Sequence, residues 1–191
     1  AEIVGYSERS IEIRCRKGDV AAVGSGLVPA AERSVLCAAI LKKDRFEWLT
    51  EKLAEQGITD LVPLVTARTI KKDVRLDRLQ TIAQEAMEQS GQARCMAVHA
   101  PLDLPGVVRF LQRSRLEAVV CDIGPNLAPL EEALRQAKRQ AVFIGPEGGW
   151  SDEERVFFEQ EARYPRAGLG PTVLRGETAG MLAAFCLRRS R

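Results

Sequence analysis

Several things this chain has little of narrow what it can be. It has one histidine, His99, and five cysteines, Cys15, Cys37, Cys95, Cys121 and Cys186, with no C-x-x-C pair. An odd number without that spacing argues against a zinc site and against a disulfide framework; it fits a reducing cytosol, and no metal is expected. Aromatic residues make up 5%, too few for the stacking platforms of single-strand binders. No apolar run is long enough to span a bilayer and no signal peptide is visible, so no membrane role is expected. Neither G-x-x-x-x-G-K-[ST] nor G-x-G-x-x-G occurs, so the common phosphate-loop signatures are missing. A net charge of +2 does not by itself define a nucleic-acid binder.

What is present is enough for one domain of ordinary size: 191 residues, 46% hydrophobic and 28% charged, with room for a small appendage. The basic residues are 21 arginines against seven lysines. Guanidinium forks bind phosphate and stack on bases; the codon bias of a GC-rich genome explains the same ratio equally well.

Residues 1–16 alternate as strands do, with Ile11, Ile13 and Cys15 on one side and Glu12, Arg14 and Arg16 on the other. Gly5 and residues 7–10 read as a hairpin turn. Two strands alone are unstable, so this piece is expected to continue a β domain upstream. The chain starts with Ala1 inside a strand pattern, and an N-terminal part is expected to be missing. Residues 17–33 read as a linker.

From Val35 the pattern becomes alternating strands and helices. Strands are expected at 35–41, 61–65, 118–123 and 141–144, and helices at 42–56, 76–90, 127–138, 152–162 and 178–188. Gly57 and Gly91 serve as helix stops. Pro63 is expected to kink the second of these strands or mark it as an edge. The succession implies an open, mostly parallel α/β sheet covered by helices on both faces.

Two glycine-rich turns carry the chemistry. The first is Gly145-Pro146-Glu147-Gly148-Gly149, after the apolar Ile144 and before a helix start at Ser151. Ser151 and Glu154 match a capping box, and Asp152, Glu153 and Glu154 fill the positive end of that helix with carboxylate, which argues against phosphate there. The second is Leu169-Gly170-Pro171-Thr172-Val173-Leu174-Arg175, opening the last helix. Glycine and proline expose main-chain groups, so both turns suit a flat, hydrogen-bonding ligand such as a nucleoside. A tight turn without a ligand is the plainer reading of either segment alone.

Gly145-Pro146-Glu147-Gly148-Gly149 together with Leu169-Gly170-Pro171-x-Val173-Leu174-Arg175-x-Glu177-Thr178-Ala179 resembles the RsmE family, 16S ribosomal RNA uridine-N3 methyltransferases of the SPOUT superfamily. Residues 42–58 and Glu85-Ala86-Met87-Glu88-Gln89-Ser90-Gly91 agree with it, and the resemblance covers 35–191. It implies a SPOUT-type sheet with a C-terminal trefoil knot over 35–191, and residues 1–33 as the tail of a PUA-like β domain. It further implies S-adenosylmethionine as cofactor, a homodimer with the cofactor near the interface, 16S ribosomal RNA or the small subunit as partner, and a cytoplasmic location. The cofactor positions it implies are Ile144, Gly145, Pro146, Glu147, Gly148, Gly149, Leu169, Gly170, Pro171, Val173, Leu174, Thr178 and Ala179. Where the family has arginine, this chain has Gln92 and Thr172.

Uracil N3 must lose a proton before it attacks, so a cation that stabilises the anion or a base that takes the proton is required. Arg175 is the candidate cation. Glu177 is the weaker candidate base, since a carboxylate there also serves the helix dipole. Lys42, Lys43 and Arg45, basic at a helix start where charge is unfavourable, and Arg94 are candidate RNA contacts; Lys71, Lys72, Arg75 and Arg78 either extend that surface or form a solvated face. His99 lies in a loop before Pro101 and is read without a catalytic role; Trp48 and Trp150 are read as packing groups. Two alternatives stay open: a methyltransferase acting on another RNA nucleotide, and a non-catalytic RNA-binding or ribosome-assembly protein.

Overall fold

Four short, continuous apolar runs form the middle of the molecule: β3 at Val35–Ala39, β4 at Asp60–Val65, β7 at Ala118–Cys121 and β9 at Ala141–Ile144. Their lack of alternation marks strands buried on both faces. The structure, a computed structural model, describes residues 2–7, 10–14, 32–42, 44–70, 72–92, 94–136 and 140–190. The remaining elements are the strands β1 (Glu2–Ser7), β2 (Ser10–Arg14), β5 (Ala97–Val98), β6 (Leu102–Asp103), β8 (Ala128–Pro129) and β10 (Arg166–Gly168), and six α-helices. These are α1 (Arg45–Glu55), α2 (Leu76–Ser90), α3 (Leu104–Arg113), α4 (Leu130–Gln136), α5 (Asp152–Val156) and α6 (Gly176–Arg189). A π-helical turn, Phe157–Ala162, continues α5.

β1 and β2 pair antiparallel, but Gly5, expected in the turn, lies inside β1 opposite Glu12, where the register shifts. The other strands form one sheet in the order β5-β4-β3-β9-β7-β10-β8, with β6 also beside β4 and every described pairing parallel. Period-two geometry sends Leu36, Ala38, Val119, Val142 and Ile144 into a core shared with α1, α2, α4 and α6. Val35, Cys37, Val120 and Phe143 enter a second core with α3, Trp150, Phe158 and Tyr164. Helices therefore cover both faces, as expected.

The helix stops act as read: Gly57 and Gly91 take left-handed backbone, φ +72° and +68°. Pro63 needs a correction. β4 is not at the edge; it pairs with β3 from Asp60 to Leu64, its outer neighbour is split, β5 facing Asp60–Leu61 and β6 facing Leu64–Val65, and the proline falls at the gap. The helix expected from residue 127 starts at Leu130, after the short β8, and the helix expected over 152–162 changes to π geometry at Phe157. Helix α3 was not anticipated, although Asp103 caps it through Gly106 N–H at 2.8 Å and Pro105 sits in its first turn. The described cysteines, Cys37, Cys95, Cys121 and Cys186, are free. No helix among the described residues is long and apolar enough to cross a membrane.

Candidate functional site

Three neighbouring strands end in the same kind of tripeptide. β7 runs into Ile123-Gly124-Pro125, β9 into Ile144-Gly145-Pro146, and β10 into Leu169-Gly170-Pro171. The strands are parallel, so the three bends gather at one end of the sheet. They enclose a crevice of about 810 Å³, floored by Cys121 and Ile144 and closed on one side by Ala179, Leu182 and Cys186 of α6. That volume lies in the range of roughly 300–1,000 Å³ that holds nucleoside-sized ligands. The carboxyl end of a parallel sheet is also where open α/β folds bind them. Two of the walls are the glycine-rich turns singled out in the sequence. The third, at residues 122–127, was missed, although its apolar-Gly-Pro pattern repeats the other two.

The bends keep their shape for different reasons. Gly149 and Gly170 adopt φ +69° and +132°, and a side chain at either would point into open space; backbone conformation, not crowding, requires glycine there. At Gly145 crowding decides, because a Cβ would meet the Trp150 indole at 3.0 Å. Trp150 is 1% exposed and donates Nε1–H to the Cys121 carbonyl at 2.8 Å, joining the first turn to the end of β7. Trp150 is therefore a packing group as read, whereas Trp48 is 40% exposed.

The capping box at α5 is formed: Ser151 Oγ accepts from Glu154 N–H at 3.2 Å, and Glu154 Oε2 accepts from Ser151 N–H at 2.8 Å. On the opposite wall Asp122 accepts from Arg155 at 3.0 Å and from Arg166 at 3.0 Å. Burial alone would raise the Asp122 carboxyl, but the Arg155 hydrogen bond, the Ile123 N–H and Arg166 hold it below the usual carboxylate range.

Most expected cofactor positions line the crevice: Ile144, Gly145, Pro146, Glu147, Gly149, Leu169, Gly170, Pro171, Val173, Leu174 and Ala179. Gly148 and Thr178 do not; Gly148 faces the Arg68 side chain instead. Arg175 is exposed, lines the rim, and makes no ion pair among the described residues. Glu177 stands in the first turn of α6 and is absent from the lining; its side chain is 15% exposed and its Oε2 is buried without a hydrogen bond.

The candidate RNA contacts separate. Lys42 is exposed just beyond the carboxyl end of β3, and Lys43 and Lys71 lie outside the described residues. Arg45 sits 3.7 Å from both Glu147 and Glu177, linking the two glycine-rich segments. Arg94 pairs with Glu32 at 2.9 Å near the amino end of the sheet, away from the crevice. Arg75 and Arg78 pair with Asp77 and Glu47. Gln92 also lies at the amino end, donating to the Glu55 carbonyl at the end of α1 at 3.2 Å, whereas Thr172 lines the crevice. Among the described residues no three His, Cys, Asp or Glu side chains converge as a metal site.

A parallel α/β sheet with a crevice between glycine- and proline-bearing bends at its carboxyl end defines a small-ligand-binding fold of the kind that serves nucleoside cofactors. A family model described as an RNA methyltransferase domain matches residues 29–188. The chain is 33% identical over 153 residues to ribosomal RNA small subunit methyltransferase E of Synechocystis, covering 78% of this chain and 50% of that protein. The corresponding Bacillus subtilis protein is 28% identical over 170 residues, covering 78% of this chain and 62% of its own length. The crystal structure of ribosomal RNA small subunit methyltransferase E from Neisseria gonorrhoeae, bound to S-adenosyl methionine, superposes with a TM-score of 0.71. It is 27% identical and matches 82% of this chain and 65% of that one. The chain belongs to the RNA methyltransferase domain family, in its RsmE branch. It spans about half the length of the Synechocystis relative and less than two thirds of the B. subtilis one.

Proposed function

We propose that this chain is the catalytic domain of an S-adenosylmethionine-dependent methyltransferase that modifies N3 of a uridine in 16S ribosomal RNA. The single observation that carries this reading is the crevice: glycine- and proline-bearing bends on three sides, with a guanidinium at its rim that has no ion pair among the described residues. Its residues fit the cofactor. The volume is right, and beside Gly149 and Gly170 there is open space that a side chain would fill. Peptide groups of residues 144–149 and 169–174 would hold the adenosine edge and ribose. Bound there, S-adenosylmethionine supplies an already activated methyl group, which leaves the protein chiefly to position the reactants.

The chain's own chemistry concerns the acceptor. As uracil N3 gives its proton to solvent water, negative charge builds on the flanking carbonyl oxygens, and Arg175 stabilises it. An ion pair would blunt that cation, and Arg175 has none among the described residues. We assign Glu177 to the dipole of α6 rather than to proton removal, because it is absent from the crevice lining. Arg45, between Glu147 and Glu177, braces the two segments, and Lys42 is the phosphate contact at this end.

The knot, the PUA-like tail and the homodimer belong to the same reading. The knot is supported by α6, which follows β10 in the chain yet packs against β9 and β3 and on α1 and α4. The tail is supported by β1–β2, an antiparallel pair separate from the parallel sheet. A second copy of the chain would cover Met181 and Phe185, exposed on one side of α6, together with Trp48 of α1. A cytoplasmic place follows from a ribosomal substrate.

Labelled methyl transfer to ribosomal RNA, followed by nucleoside analysis, tests the proposal, with 3-methyluridine expected. Thr172 favours one other reading, since it lines the crevice where the family has arginine; a different methylated nucleoside would establish it. Arg175→Ala is expected to abolish transfer while donor affinity stays within about threefold. Joint loss of binding and transfer would show that Arg175 serves the donor instead.

A further inference from the structure

The crevice walls are loops, and loops need a reason to hold one shape. Two adjacent residues in the first turn of α5 supply it on opposite sides. Glu154 is 7% exposed and both its oxygens are engaged: Oε2 accepts from Ser151 N–H at 2.8 Å, and Oε1 accepts from Ala67 N–H, also at 2.8 Å. Ala67 belongs to the loop that follows β4, a segment with no place in the crevice lining. That loop is itself closed by hydrogen bonds from Thr66 N–H to Thr69 Oγ1 at 3.0 Å and between the two hydroxyls at 2.8 Å. From the same loop Arg68 donates to the Gly148 carbonyl at 2.6 Å, and its methylenes fill the space beside Gly148. The outer surface of the first glycine-rich turn is thus held from behind.

The other arm is Arg155. It donates through Nε to Asp122 at 3.0 Å and through Nη2 at 3.4 Å, while Arg166 of β10 grips the same carboxylate. The Asp122 side chain is 3% exposed and also accepts from Ile123 N–H at 2.8 Å, in the third wall. The loop after β4 and the loop after β7 are therefore both fastened to one helical turn, and the bend after β9 lies between them.

We propose that Glu154 and Asp122 are positioning residues: two buried carboxylates that hold the crevice walls in their ligand-ready shape from either side of α5. This rests on the reading of the crevice as the methyl-donor site. Neither residue needs to touch the donor. Glu154 acts through Ser151 and Ala67, and Asp122, whose oxygens are already taken by two arginines and an amide, acts through Ile123 and Arg155. Preset walls spare the ligand the cost of ordering them.

The test combines amide hydrogen exchange without ligand and calorimetric titration with S-adenosylmethionine, on wild type, Glu154→Gln and Asp122→Asn. Both substitutions keep size and remove charge. In Glu154→Gln the amides of Ala67 and Ser151 should exchange at least about tenfold faster, while those of Leu36 and Val142 change less than about threefold. In Asp122→Asn the same contrast should appear at Ile123. Donor affinity should fall about tenfold in each variant. Unchanged loop exchange, or equal acceleration in loops and central strands, would overturn the proposal, the latter by showing a merely structural role. A wild-type protein that bound no donor would refute the crevice reading instead, and the exchange comparison would still decide whether the brace exists.

Discussion

The two ends of the parallel sheet use opposite chemistry. At the carboxyl end, bends rich in glycine and proline leave a space about 810 Å³ in size, and the Arg175 guanidinium at the rim has no ion pair among the described residues. At the amino end, side chains close the space. Arg33 grips Asp60 with two nitrogens and Ser114 with a third, and its guanidinium lies over the Phe110 ring. His99 meets Asp60 at 2.8 Å and stands edge-on to the same ring. Burial would raise the Asp60 carboxyl, but hydrogen bonds from His99, Arg33 and Thr59 prevail and lower it to about 2. The amino end is thus filled by paired side chains, whereas the carboxyl end keeps an open crevice between its bends.

Substitutions can break this contrast in graded ways. The largest effect removes what both ends share. Phe143 is fully buried in β9 against Phe158 and Tyr164, and Phe143→Ala should cost about 3–5 kcal/mol in chemical denaturation, with donor binding lost alongside. Next, Asp60→Asn should damage the amino end alone. It leaves Arg33 without its charged partner and should cost about 2–4 kcal/mol, with donor affinity within about twofold of wild type. The pH dependence follows from the sign of the shift. The folded carboxyl titrates below its unfolded value of 3.8, so its contribution, about 2 kcal/mol, is complete above pH of about 4 and is lost as pH falls toward about 2. The difference between wild type and Asp60→Asn should shrink across that window in acid-denaturation curves.

Gly170→Ala should do the reverse. At φ +132° an alanine is strained by about 1–3 kcal/mol, and relief of that strain reshapes the second bend, so donor affinity should fall about tenfold. The smallest effect is expected from Arg94→Ala, whose exposed pair with Glu32 should contribute less than about 0.5 kcal/mol. Unaltered RNA affinity in that variant would remove Arg94 from the binding surface altogether.

The strongly apolar strands and the glycine-stopped helices were legible because burial on two faces and left-handed stops leave local marks. Two of the three crevice walls were legible for the same reason. The third was not, because Asp122-Ile123-Gly124-Pro125-Asn126 gains meaning only once β7 lies between β9 and β10, and strand order is not a local property. The placement of β4 inside the sheet escaped for a related reason: Pro63 reads as an edge signal until the gap between β5 and β6 is known. The ties from Glu154 to Ala67 and from Asp122 to Arg155 join residues 87 and 33 positions apart, and no periodicity carries that information. The helix-dipole mismatch marks Arg45 as an RNA-phosphate contact; its two acidic neighbours come from distant segments and offset that mismatch.

The most direct measurement is backbone amide NMR during titration with S-adenosylmethionine. The account predicts shifts in the three bends, at residues 122–127, 144–149 and 169–174, with Ser34, Asp60 and His99 at the other end unmoved. Shifts centred on the amino end, or none at saturating donor, would contradict it.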